Sequence, residues 1–310
     1  MYNILITGGF GYIGQVFLNL LDKKHNITVI DSLSYNQDVN KIIKEHSKIK
    51  FIKGDVRDEK LIKDFTKKID FIFPLAGLVG APLCKSKPQE AKEVNEDSIK
   101  LLCKVADKDT KIIIPTTNSG YGIGSKNSFC SETSPINPIS VYGITKMAAE
   151  KVLLERGNVI SLRLATVFGM SPRMRLDLLV NNFCHIALTQ KKIEIFEGHF
   201  RRNFVHIKDV ARAFIFCMEN FEKLKDNVYN FGLEEANLTK LDLANQIKKY
   251  VPEFQIIENE FEKDPDQRDY IVSNQKIINT GFEFQNSLDQ GIRELLKEIP
   301  NLKNKNFSNV

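Results

Sequence analysis

Residues 3–14 read NILITGGFGYIG, a short apolar run that breaks into glycines and resumes at Tyr12-Ile13. Asn3–Thr7 predicts a strand and Tyr12–Lys23 a helix. Gly8, Gly11 and Gly14 let the chain turn tightly between the two, bring backbone N–H groups to a pyrophosphate and pack helix against strand. The spacing is GxxGxxG rather than GxGxxG, and such turns also form for packing alone, so the stretch needs its context.

Outward from it, short apolar strands alternate with amphipathic helices. Strands are predicted at Ile27–Asp31, Lys50–Lys53, Ile69–Pro74, Lys111–Pro115 and Val159–Leu164. Helices are predicted around Lys41–Glu45, Glu59–Thr66, Pro88–Ala106 and Tyr142–Arg156. That alternation indicates a parallel sheet covered on both faces, a doubly wound α/β fold of Rossmann type. The last third differs: strands at Lys192–Glu197 and Val228–Asn230 lie among longer loops and helices at Val210–Asn220, Lys240–Lys249 and Ser287–Glu298. We expect residues 1–165 to form a dinucleotide-binding domain and 166–310 a smaller, partly interleaved α/β lobe, with Pro300–Val310 a frayed polar tail.

Context strengthens the glycine turn. Asp31 ends the second predicted strand, where a carboxylate accepts from ribose hydroxyls and repels a 2′-phosphate; the alternative is a turn or cap residue. Asp55 and Val56 follow a later strand and suit an adenine edge, with Asp58 free to cap the next helix. Leu75-Ala76-Gly77 is a small-residue strand end that a flat cofactor can approach. NAD, rather than NADP, is the expected cofactor.

Composition excludes several other classes. Of 310 residues 42% are hydrophobic and 27% charged, and the net charge of +5 is spread along helical faces, which argues against a nucleic-acid surface. Arg173, Arg175, Arg201 and Arg202 suit a phosphate group better than a duplex. No apolar run is long enough for a bilayer. The chain opens directly into a strand, without a secretory leader. Five cysteines with no CxxC pair fit reduced thiols in the cytoplasm, and the five histidines show no metal-ligand spacing.

A second stretch asks for a chemical role. Residues 115–124, PTTNSGYGIG, place hydroxyls and an amide at the tip of a buried strand. Tyr142 and Lys146 lie four apart on a predicted helix, hence on one face, where an ammonium lowers a phenol's pKa. The phenolate can then take a proton from a substrate hydroxyl. Thr117 can hydrogen-bond the reacting oxygen. Alone, YxxxK is a chance pattern on many helices.

TGGFGYIG, Asp31, GDVRD, LAG, TTNSGYG, YGITK, RLATVFG (163–169) and RNFVHIKD (202–209) together resemble the extended short-chain dehydrogenase/reductases that act as nucleotide-sugar epimerases and dehydratases. The resemblance covers nearly the whole chain. It implies a catalytic triad of Thr117, Tyr142 and Lys146, with Lys146 also holding the nicotinamide ribose. Phe10, Tyr12 and Ile13 would join the glycines, Asp31, Asp55, Val56 and Leu75–Gly77 around NAD. Val79, Asn118, Ser119, Thr166, Asn181, Arg202 and Arg268 would bind substrate, the two arginines on its diphosphate. Arg268 is equally well placed to be neutralised by its acidic neighbours, and Arg173 and Arg175 to support their loop. His206 reads as a packed histidine and Asp209 as a helix cap.

The family's 4,6-dehydratases carry Thr-Asp-Glu where this chain has Thr117-Asn118-Ser119, so the carboxyls that drive water elimination are missing. Pro115 replaces a serine of many relatives, for which we have no chemical account. TNSGYGIG, SPRMRLDLLVN and HFRRNFVHIKDV are similar to the subgroup that oxidises GDP-heptoses at C4 for bacterial capsule sugars. The expected activity is therefore NAD-dependent C4 oxidation of a GDP-linked sugar in the cytoplasm, by a homodimer or homotetramer. A 4-epimerase that returns the hydride, an NADPH-dependent keto-sugar reductase and a non-catalytic NAD-binding protein are the rivals.

Overall fold

A computed structural model describes residues 1–37, 39–124, 128–259, 268–302 and 307–309. Its first six strands are β1 (Asn3–Thr7), β2 (Asn26–Asp31), β3 (Ile49–Lys53), β4 (Phe71–Pro74), β5 (Lys111–Thr117) and β6 (Val159–Leu164). The next six are β7 (Thr166–Phe168), β8 (Lys192–Phe196), β9 (Arg201–His206), β10 (Asn227–Phe231), β11 (Asn237–Thr239) and β12 (Gln255–Asn259). Seven of them form one sheet in the order β3-β2-β1-β4-β5-β6-β10, parallel throughout. Strand order reverses between β1 and β4, which opens a crevice at their carboxyl ends. β4 and β5 pair only at Phe71↔Lys111 and Ile72↔Ile112, so the crevice widens beyond Ile112.

The strands are fully apolar inside because helices cover both faces: Ile4, Leu5 and Ile6 of β1 and Ile112, Ile113 and Ile114 of β5 are all at 0% exposure. On one face Phe17 of helix Tyr12–Leu20 packs edge-on to Phe214 of helix Ile207–Glu219, ring centroids 5.2 Å apart. The second half of the chain therefore supplies a cover helix to the first and, through β10, an edge strand to its sheet. β7, β9 and β11 form a separate small sheet, and β8 pairs with β12.

Several expected elements shift. The helix foreseen from Pro88 to Ala106 is Pro88–Lys92 and Ser98–Val105 joined by a π-helical segment, Glu93–Asp97. A short helix, Ala81–Ser86, follows β4 where no element is predicted. Asp209 is not the helix cap: the helix starts at Ile207, capped by His206 Nδ1, which accepts from Lys208 N at 3.2 Å. The Asp209 carboxylate instead accepts from the backbone of Gln285 and Asn286 and from Arg212. His206 is packed as expected, its Nε2 3.1 Å from Glu294. Phe307–Asn309 are not frayed but docked: Leu176 N donates to Phe307 O at 2.7 Å. Among the described residues no helix is long and apolar enough to cross a membrane, and no metal-ligating cluster occurs.

Candidate active site

The glycine turn is shaped by close approach. Gly8 has φ +68°, and a Cβ there would sit 2.5 Å from the Ala76 backbone nitrogen. At Gly14 a Cβ would meet the Gly9 carbonyl oxygen at 2.4 Å. Both positions press backbone against backbone, leaving a bare cradle at the start of helix Tyr12–Leu20. Asp31 fastens that cradle to β2: its carboxylate accepts from Phe10 N at 2.9 Å and Leu33 N at 2.8 Å. Burial pushes its pKa up, against those two amides.

One cavity of about 450 Å³ runs from this cradle to the helix Val141–Arg156. Gly8, Gly11, Tyr12, Ile13, Gly14, Asp31, Asp55, Val56 and Leu75–Gly77 line one end. Thr117, Ser119, Tyr142, Lys146, Val79, Thr166 and Arg268 line the other. Asp55 is held by Arg57 through two side-chain hydrogen bonds, of 2.6 and 3.0 Å, which keep its carboxyl low. Asp58 caps helix Glu59–Phe65 through Leu61 N.

Tyr142 and Lys146 reach the cavity because Ser140 Oγ accepts from Gly143 N and starts their helix one residue earlier than expected. Tyr142 is half-buried by surface area, yet its surroundings push the phenol up to about 12. Burial outweighs the lowering by Arg268, Arg175 and the hydrogen bond to Thr117, so in the ligand-free protein the phenol is raised, not lowered by Lys146 as the i, i+4 spacing predicts. Burial also brings Lys146 down to about 8, with Glu150 and Cys84 opposing. Thr117 Oγ1 donates to Ser119 Oγ at 2.9 Å and accepts from Ser119 N. Arg268 also donates to Ser119 Oγ, so a chain of polar contacts joins Arg268 to Tyr142.

Four expected site residues stand behind the wall. Phe10 is fully buried core, and only its backbone N–H takes part, through Asp31. Asn118 is fully buried, turned away at the start of a 3₁₀ turn, with neither amide atom paired. Asn181 is consumed by internal bonds to Gly169 N, the Tyr12 hydroxyl and Arg175 O. Arg202 lies 3% exposed behind Tyr270, donating to the carbonyls of Arg201 and Arg268. Phe10, Asn181 and Arg202 each brace a neighbour that does line the cavity.

Tyr35 and Asn309 escaped the sequence reading, which takes Arg173 and Arg175 as loop supports or phosphate-suited arginines. The four converge on the cavity wall from three separate segments, a juxtaposition no local pattern announces. Asn95, in the π-helical segment, holds both the N–H and the carbonyl of Leu78 at 2.9 Å and reaches Thr145 between Tyr142 and Lys146. Pro115 lies on the cavity wall.

The NAD dependent epimerase/dehydratase family model matches residues 4–232. The chain is 28% identical over 269 residues to a dTDP-D-glucose 4,6-dehydratase of Dictyostelium discoideum, covering 79% of this chain and 61% of that one. It is 28% identical to a UDP-glucose 4-epimerase of Lactobacillus helveticus, covering 79% and 81%. It spans about half the length of several further curated relatives it matches. Among solved structures, the dTDP-glucose 4,6-dehydratase of Bacillus anthracis in complex with NAD superposes with TM-score 0.83 at 23% identity over 98% of both chains, a likeness of fold.

Proposed function

Because the chain belongs to the NAD dependent epimerase/dehydratase family, we propose that it oxidises a nucleotide-linked sugar at C4, with a GDP-heptose as the first candidate substrate. The supporting observation is that Thr117, Tyr142 and Lys146 share one cavity wall with the glycine cradle. The residues present fit a dinucleotide: the cradle at Gly8 and Gly14 leaves room for backbone approach, and Asp31 suits an unphosphorylated ribose. Bound NAD supplies the hydride acceptor.

The chain's own groups do the rest. Tyr142 takes the C4 hydroxyl proton, Thr117 holds the oxygen, and Lys146 supplies positive charge beside them. Among the described residues, the carboxylates on the cavity wall are Asp31, Asp55 and Glu90, none of them in 115–119 or on the Tyr142 helix. That placement disfavours water elimination, which needs an acid and a base at the sugar. It is the ground for oxidation rather than dehydration. GDP-heptose itself is carried by the loop motifs quoted above.

A second reading, a 4-epimerase, is favoured by the UDP-glucose 4-epimerase relative that aligns over most of both chains. Incubation with a panel of GDP- and UDP-sugars, followed by product mass and NADH absorbance, separates the two. A product two hydrogens lighter with NADH formed supports the dehydrogenase, an isomer of unchanged mass the epimerase. Loss of water would refute both. Tyr142→Phe is expected to lower turnover by at least about 10³-fold while NAD still binds; retained turnover would remove Tyr142 from the mechanism.

A further inference from the structure

Among the described residues, Arg173 is a buried cation that no carboxylate pairs with. It is 5% exposed, and its guanidinium donates to the Met174 and Ser308 carbonyls and to Asn309 Oδ1 at 2.7 Å. Its Nε has no partner, and no carboxylate pairs with it among the described residues. The neighbouring Arg175 is different, bound through two hydrogen bonds to Asp177. Arg163, equally buried, is matched by Glu150 at 2.6 Å. Desolvating a charge costs several kcal/mol unless an opposite charge meets it. Burial and the adjacent Arg175 accordingly lower the pKa of Arg173.

Its position says which anion it can meet. Arg173 lies on the cavity wall, 4.5 Å over the ring of Tyr35, in the loop after β2. Ser171, two residues before it, donates to the Tyr12 carbonyl at 2.7 Å, and the Tyr12 hydroxyl donates to Gly169 O at 2.7 Å. The 169–173 loop is thereby fixed against the first turn of helix Tyr12–Leu20. That helix end lines the cavity and has no acidic residue in its first turn and no side-chain cap at Gly11, so its N–H groups are left for a ligand or solvent.

We infer that Arg173, fastened by the C-terminal residues Ser308 and Asn309, binds the diphosphate of the dinucleotide from the side opposite the glycine cradle. This rests on NAD being the ligand of the cavity. The diphosphate would meet backbone N–H groups on one side and a forked guanidinium on the other. From the sequence, loop support is the expectation for Arg173; on this inference the C-terminal tail supports Arg173 for phosphate binding.

The test is calorimetric binding of NAD, ADP-ribose, adenosine, UDP and GDP to nucleotide-free wild type, Arg173→Gln and Arg173→Lys. Arg173→Gln is expected to weaken NAD and ADP-ribose about 10- to 100-fold and adenosine less than about 2-fold, the range for a charge-assisted contact. Its melting temperature without ligand should equal or exceed that of wild type, which a purely structural arginine would not show. Arg173→Lys keeps the charge without the fork and should lose about 3- to 10-fold for ADP-ribose. Full ADP-ribose affinity in either folded variant overturns the inference, as does an equal loss for adenosine. A loss confined to UDP and GDP would move Arg173 to the substrate's diphosphate and also overturn it. Failure of wild type to bind NAD or ADP-ribose would instead sink the cofactor reading from which the inference starts.

Discussion

Lys146 is 8% exposed and makes no hydrogen bond or ion pair with the described residues. Burial depresses it to about 8 from 10.5, so between those values the unfolded chain holds a proton that the folded chain has released. Stability must then rise with pH across that window. Tyr142 works in the opposite sense: raised from 10.0 to about 12, it costs stability as pH rises between those values. We expect Lys146→Met to stabilise the ligand-free protein at pH 7 and to stabilise it less at pH 10, read by urea unfolding at both. An advantage that is the same at both pH values would mean that Lys146 is not desolvated. Tyr142 and Lys146 were legible from their i, i+4 spacing. Arg173 was not, because an unpaired charge is a property of what surrounds it.

Elements position these groups by contact. The helix Tyr12–Leu20 can lie against the turn before it only because Gly14 lacks a Cβ. Gly14→Ala would force the helix outward, since the atom it meets is a backbone carbonyl with no rotamer to escape to. We expect a loss of about 1–3 kcal/mol in unfolding free energy and a weaker NAD titration; unchanged values for both would show that the turn yields freely. The glycine turn, β1 and its helix could be read along the chain because each rule involved is local. The π-helical segment Glu93–Asp97 could not. Its one extra residue per turn leaves no periodic mark, and Asn95 is needed only because Leu78 lies beside it. Asn118 and Asn181 carry amides suited to a ligand, but their backbone turns them inward.

At the scale of the molecule, one apolar cluster extends from Ile4 in β1 to Ile299 near the C-terminus. β10 completes the large sheet, and helix Ile207–Glu219 covers helix Tyr12–Leu20. A division at residue 165 therefore cuts through shared core. We expect a single cooperative urea transition, coincident by far-UV circular dichroism and tyrosine fluorescence. Two separated transitions would show 1–165 and the partly interleaved 166–310 lobe to unfold independently. Tail contacts at Arg173 add a further link between the ends of the chain.

The alternation of apolar strands with amphipathic helices, the glycine turn and Asp31 were legible in the sequence alone, because each depends on spacing within a short segment, and spacing is what a chain carries openly. Thr117 joined Tyr142 and Lys146 only through the resemblance to the epimerases and dehydratases, since it lies on a different element. Tertiary structure alone decided which polar residues face the cavity and which brace it. It seated residues 307–309 against the 173–176 loop, and it buried Arg173 with no carboxylate partner among the described residues. Desolvation and charge balance are sums over neighbours that folding brings from distant segments, so they exist only once the chain has closed on itself.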